Sequence, residues 1–157
     1  MITAVIRPSW DQYWIQAAHN AATRSLCSRD QVGAVIVDRH NEIVSSGWNG
    51  PPSGFEHDGQ PCVLWCARAQ KDRDFDPEYN DCPSLHAEAN ALMMSEKARR
   101  RGGTLYVTSH VCFPCSKLVA NSGVSRLVIA PSHDAGHRDS GRGYTLLANC
   151  GLKVDVL

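Results

Sequence analysis

The chain has 157 residues, 43% of them hydrophobic and 20% charged, which suits one globular domain with a single sizeable core and is too short for two. Sixteen Lys and Arg balance sixteen Asp and Glu, so with neutral His the formal charge is zero, which argues against nucleic-acid binding by bulk phosphate neutralisation. No run of about 18 apolar residues exists, and Met1 to Trp10 lacks the charged start and apolar core of a secretory leader, so a soluble, cytosolic protein with no membrane partner is expected.

From Ser9 to Arg24, Trp10, Tyr13, Trp14, Ala17, Ala18 and Ala21 recur at spacings of three and four, the period of one helical face, with Ser9 as N-cap. Val32 to Val37 and Ile43 to Gly47 are β-branched runs separated by the polar turn Asp38-Arg39-His40-Asn41 and read as a β-hairpin. Gly47 to Gly59 holds four Gly and two Pro, and the chain from there to Asp81 has no clear period, so residues 50–83 read as an irregular insertion. A helix is expected from an N-cap at Ser84 to about Arg100, ended by Gly102-Gly103. Then follow a strand at Leu105 to Thr108, a helix at Cys112 to Asn121 closed by Gly123, and a strand at Val124 to Ala130. A helix around Thr145 to Asn149, Gly151 after its end, and a strand at Leu152 to Val156 complete the chain. Two strands followed by helix-strand units imply an α/β fold with a mixed sheet of about five strands covered by helices, in one domain over 1–157.

Seven cysteines need an explanation. The count is odd and no export signal accompanies it, so metal binding is favoured over a disulfide framework. Cys112-Phe113-Pro114-Cys115 is a Cys-x-x-Cys at a predicted helix start, where i and i+3 side chains share one face and the helix N-terminus favours thiolates. His86-Ala87-Glu88, also at a helix opening, lies 26 residues earlier and supplies a third ligand, His86. Three protein ligands leave the fourth tetrahedral position for water, the arrangement of a catalytic zinc, and Glu88 would be the general acid/base beside it. Taken singly, a Cys-x-x-Cys could be a redox pair or half of a zinc ribbon, and a lone His a cap or core residue. Together the motifs match H-x-E with P-C-x-x-C, the signature of zinc-dependent nucleobase deaminases, except that Val111 stands where the signature has Pro.

Most of the chain resembles the deoxycytidylate (dCMP) deaminase family of the cytidine deaminase-like superfamily. The resemblance is carried by Trp10-Asp11-Gln12-Tyr13, Arg24-Ser25-Leu26-Cys27, Val32-Gly33-Ala34, Gly47-Trp48-Asn49-Gly50, His86 to Ala91, Tyr106-Val107-Thr108, Cys115-Ser116-Lys117-Leu118 and Asn121-Ser122-Gly123-Val124. It implies a three-layer α/β/α sandwich, a homo-oligomer that is often a hexamer, and hydrolysis of dCMP to dUMP and ammonia with Zn2+ as cofactor. It also implies contacts to the nucleotide from Asn49 (sugar), from the backbone of Ala87 (pyrimidine) and from Ser109 and His110. Trp48 replaces the family's Tyr, and Asn49 also suits a turn beside a Gly-rich loop. Arg24, Ser25 and Arg29 are the candidates for the phosphate, which asks for cations or helix N-terminal amides.

Several members of that family carry a second, structural zinc. By the same resemblance its ligands here would be Cys27, His57, Cys66 and Cys82, with Cys62 in reserve, stapling the insertion. Cys150 is expected in the core. The sequence also admits other substrates: 5-modified dCMP, dCTP, a nucleoside or guanine, or a polynucleotide, for which Lys97 and Arg99-Arg100-Arg101 form a local basic cluster. A non-enzymatic zinc-stapled binding module would leave Glu88 and the open fourth position without a task.

Overall fold

A computed structural model describes residues 6–71, 81–131 and 139–157. Helix α1 (Trp10–Ala22) begins at a capping box: Ser9 Oγ accepts from the Gln12 amide and Gln12 Oε1 accepts from the Ser9 amide. Strands β1 (Gly33–Val37) and β2 (Ile43–Trp48) form the expected antiparallel hairpin, with an irregularity in register between Ile36 and Val37. Next come a single 3-10 turn at Cys62–Leu64, helices α2 (Ala87–Met93) and α3 (Lys97–Arg100), and strand β3 (Thr104–Val107). Helix α4 (Phe113–Ser122), strand β4 (Arg126–Ile129), helix α5 (Ser140–Asn149) and strand β5 (Lys153–Val156) complete the order.

The five strands lie in the order β2-β1-β3-β4-β5. β1 is antiparallel to β2 and β3, whereas β3, β4 and β5 are mutually parallel, so the sheet is mixed as expected. Alternation along the strands divides the core. Ala34, Ile36, Leu105, Val107, Leu127 and Ile129 face Ala87, Ala91, Val119 and Leu147, from α2, α4 and α5. Val35, Val37, Tyr106 and Val128 face Trp14, Ile15 and Ala18 of α1. Helices on both faces of one sheet make the three-layer α/β/α sandwich. None of the described helices is long and apolar enough to cross a membrane.

Four details differ from the sequence reading. The helix expected from Ser84 to Arg100 is two. Leu85 is held extended by a two-way backbone pairing with Gly50, so α2 cannot begin before Ala87 and its cap is His86. Its far end closes where Ser95 Oγ and the Arg100 guanidinium both donate to the Leu92 carbonyl, capturing an acceptor that a continuing helix would use. On α1 the buried stripe is Trp14, Ile15, Ala18 and Ala22, leaving Trp10 and Tyr13 about half exposed. α5 starts five residues earlier than its apolar period suggests, because Gly141 and Gly143 weaken that signal. Cys150 is exposed at the end of α5 rather than in the core, since Leu147 is the residue of that turn aimed at the sheet.

Candidate active site

Two helices open side by side on one face of the sheet. α2 is seated on β2 by the Ser45 hydroxyl donating to the Ala91 carbonyl at 2.8 Å and by the Asn90 side-chain amide donating to the Trp48 carbonyl at 2.8 Å. α4 is capped by Cys112 in extended conformation, with Cys115 in its first turn and Pro114 where a missing N–H costs nothing. Val111, in place of the signature proline, is fully buried in the main core, so an apolar anchor fixes the chain entering the helix there and Cys112 keeps its capping geometry.

The result brings His86, Cys112 and Cys115 together across the sequence, their ligand atoms all within 4.8 Å of one another. His86 Nδ1 lies 3.3 Å from Cys112 Sγ and 3.5 Å from Cys115 Sγ. Ligands held about 2.0–2.3 Å from a tetrahedral zinc stand roughly 3.3–3.8 Å apart, so the donor set fits that ion. The Cys112 thiol is held well below its usual range, first by its hydrogen bond with Cys115 and also by His86, against burial that would raise it. Glu88, two residues after His86 in the first turn of α2, is 3% exposed and borders the same cleft.

Of the other residues expected at the site, Arg29, Asn49, Ala87, Ser109 and His110 line this cleft. Asn49 is fixed by its own side chain: Oδ1 accepts from the Val32 amide and Nδ2 donates to the Asp30 carbonyl, both at 2.8 Å. Arg29 Nη2 donates to the Arg68 carbonyl at 2.6 Å and to the Lys71 carbonyl. Arg24 and Ser25 are not part of the lining. Arg24 lies over the Trp48 ring at 5.7 Å, and Ser25 is buried, its hydroxyl donating to the Asn49 carbonyl and accepting from the Cys27 amide. Ser25 thus braces Asn49 from behind. Cys27 and Cys82, expected at a second zinc, and Ser84, expected as a helix cap, also line the cleft, as do Asp30 and Arg68, which come from aperiodic segments that carry no pattern to single them out.

Four of the remaining five thiols associate in pairs. Cys27 neighbours Cys62, and Cys66 neighbours Cys82; burial pushes the Cys27 and Cys82 thiols upward. The Ser28 amide donates to Cys62 Sγ at 3.0 Å. His57 is turned to its own loop, Nδ1 accepting from the Gly59 amide at 3.1 Å and the ring packing 5.9 Å from Trp65. Among the described residues, His86, Cys112 and Cys115 are the one group of three or more such side chains with ligand atoms this close together. Two of the four residues of the basic cluster are used within the fold: Arg99 pairs with Asp38 at 3.5 Å, and Arg100 donates to carbonyls of Leu92, Ser95 and Ser122.

An open His-Cys-Cys donor set at two helix starts, a buried glutamate beside it and a mixed sheet behind define a zinc-dependent enzyme of the cytidine deaminase-like class. Residues 8–131 match the cytidine and deoxycytidylate deaminase zinc-binding region. The chain is 38% identical over 122 residues to the deoxycytidylate deaminase of Mycobacterium phage D29, covering 78% of this chain and 94% of that one. It is 32% identical over 151 residues to the deoxycytidylate deaminase of Saccharomyces cerevisiae, covering 96% of this chain but 45% of the yeast protein. The crystal structure of dCMP deaminase from cyanophage S-TIM5 in complex with dCMP and dUMP superposes with a TM-score of 0.68 at 26% identity, covering 98% of this chain and all of that one. The chain belongs to the deoxycytidylate deaminase family.

Proposed function

We propose that this protein hydrolyses dCMP to dUMP and ammonia. The observation that carries the reading is the convergence of His86, Cys112 and Cys115 beside buried Glu88, in a chain similar over nearly its whole length to a dCMP deaminase solved with both nucleotides. His86, Cys112 and Cys115 would hold zinc, which when bound lowers the pKa of a coordinated water toward neutrality. Glu88 takes a proton from the attacking water and delivers it to N3 as the oxygen adds to C4 of cytosine. It then carries the second water proton to the amino nitrogen, which leaves as ammonia when the C4–N4 bond breaks. Burial places Glu88 where no bulk water competes for those protons.

In this reading Asn49 and the Ala87 backbone contact the sugar and the pyrimidine, and Ser109 and His110 close the pocket. The phosphate falls to Arg29, the member of the Arg24, Ser25 and Arg29 set that reaches the cleft. A second, structural zinc would gather Cys27, Cys62, Cys66 and Cys82 and staple the insertion at 50–83. The adjacency of Cys27 to Cys62 and of Cys66 to Cys82 supports Cys62 in place of His57. The chain would act as a single cytosolic domain within a homo-oligomer. Side-by-side turnover of dCMP, deoxycytidine, dCTP and 5-substituted dCMP tests the substrate: dCMP is expected to be the best of them, and no rate advantage from the 5′-phosphate would overturn the choice.

A further inference from the structure

His110 and Tyr144 meet at the cleft although 34 residues separate them, with His110 Nδ1 2.7 Å from Tyr144 Oη. A phenol O–H is a stronger donor than a neutral imidazole N–H and an imidazole nitrogen a stronger acceptor than a phenol oxygen, so at this distance the phenol's proton is directed at His110 Nδ1. Tyr144 is half-buried. Its place is fixed by the residue before it. A β-carbon on Gly143 would stand 2.2 Å from Ser116 Oγ, so the first turn of α5 rests directly on the first turn of α4, beside the cysteine ligands.

We propose that Tyr144 is a positioning residue that donates to His110 Nδ1 and so leaves the proton of the neutral ring on Nε2, as a donor for an oxygen of the nucleotide in the cleft. His110 is the contact and Tyr144 acts through it, by fixing the tautomer and the ring orientation. The inference rests on the deaminase reading for its substrate, but the tautomer can be observed without turnover.

Nitrogen-15 NMR of the His110 ring in the zinc-loaded, nucleotide-free protein should show a protonated Nε2 and an unprotonated Nδ1, and Tyr144→Phe should give a mixture of both tautomers. A wild-type ring protonated on Nδ1 would overturn the proposal whatever the enzyme turns over. In kinetics, Tyr144→Phe should raise KM for dCMP by about three- to tenfold, the loss of one hydrogen bond, with kcat falling less than KM rises. The same substitution in a His110→Ala background should add nothing. Additive KM increases would show that Tyr144 does not work through His110. A rise confined to dCMP assigns the acceptor to the 5′-phosphate, and an equal rise with deoxycytidine assigns it to the sugar or the pyrimidine. Failure of the wild type to deaminate dCMP would remove the substrate reading, while the ring spectrum would still decide the role of Tyr144.

Discussion

Gly47 of β2 lies directly against Ala91 of α2: a β-carbon on the glycine would stand 2.4 Å from the Ala91 amide nitrogen and 2.5 Å from the Ala87 carbonyl oxygen. No side chain fits between the hairpin and the helix that presents His86 and Glu88. Gly47→Ala must push backbone apart, at a cost of about 1–3 kcal/mol. The displaced helix should also lower turnover, because His86 and Glu88, to which the proposed mechanism gives the metal and the protons, ride on it. Urea unfolding and a deaminase assay on the same preparation check this; unchanged stability and unchanged turnover would show that α2 is not held by this contact.

Zinc content distinguishes the two assignments for the second ion. Wild-type protein is expected to hold two zinc ions per chain. Cys62→Ser should lower this to one, with the urea midpoint falling, because a closed site contributes binding energy to folding. His57→Ala should leave it at two, since that ring is engaged with Gly59 and Trp65. One zinc per wild-type chain, or loss of zinc on replacing His57 and not Cys62, would contradict the four-cysteine site.

The candidate active site is local in sequence: His86 with Glu88, and Cys112 with Cys115, each sit within one helical turn, so spacing alone singles them out. The strands and the hairpin are legible for a similar reason, since β-branched runs such as Val35-Ile36-Val37 carry their own period. The insertion is different. Cys27 is brought beside Cys62, and Cys66 beside Cys82, by a chain with little regular structure, and no periodicity says which thiols meet. Arg24 and Ser25 fail to reach the cleft because the turn after α1 points them at Trp48 and Asn49, an orientation that residue type does not encode. Tyr144 was hidden because its helix contains Gly141 and Gly143, which read as loop.

Arg126 of β4 joins three elements. Its Nη1 and Nη2 donate to the two carboxylate oxygens of Asp11 in α1, at 2.7 and 2.9 Å, and its Nε donates to Asp155 of β5 at 2.6 Å. Tyr106 Oη donates to Asp11 Oδ1 at 2.9 Å. Hydrogen bonding to Arg126, assisted by Tyr106, holds the Asp11 carboxyl below its ordinary value. A depressed carboxyl contributes stability above its unfolded pKa, about 3.9, and loses it as pH falls through the folded value. Arg126→Met should therefore cost about 1–2 kcal/mol at pH 7, discounted for partial exposure of the pair, and progressively less below about pH 4. Chemical unfolding of both proteins from pH 7 to pH 3 provides the comparison; a difference that stays constant would mean that the ion pair is not what the substitution removes.

In the proposed mechanism Glu88 moves the protons while His86, Cys112 and Cys115 hold the metal. The direct measurement is dCMP turnover by Glu88→Gln together with its zinc content, against wild type. Gln keeps the size and polarity but cannot accept the proton, so turnover should fall by about 10²–10⁴-fold or more with the catalytic zinc retained. Turnover near the wild-type rate in zinc-loaded Glu88→Gln would contradict that role for Glu88.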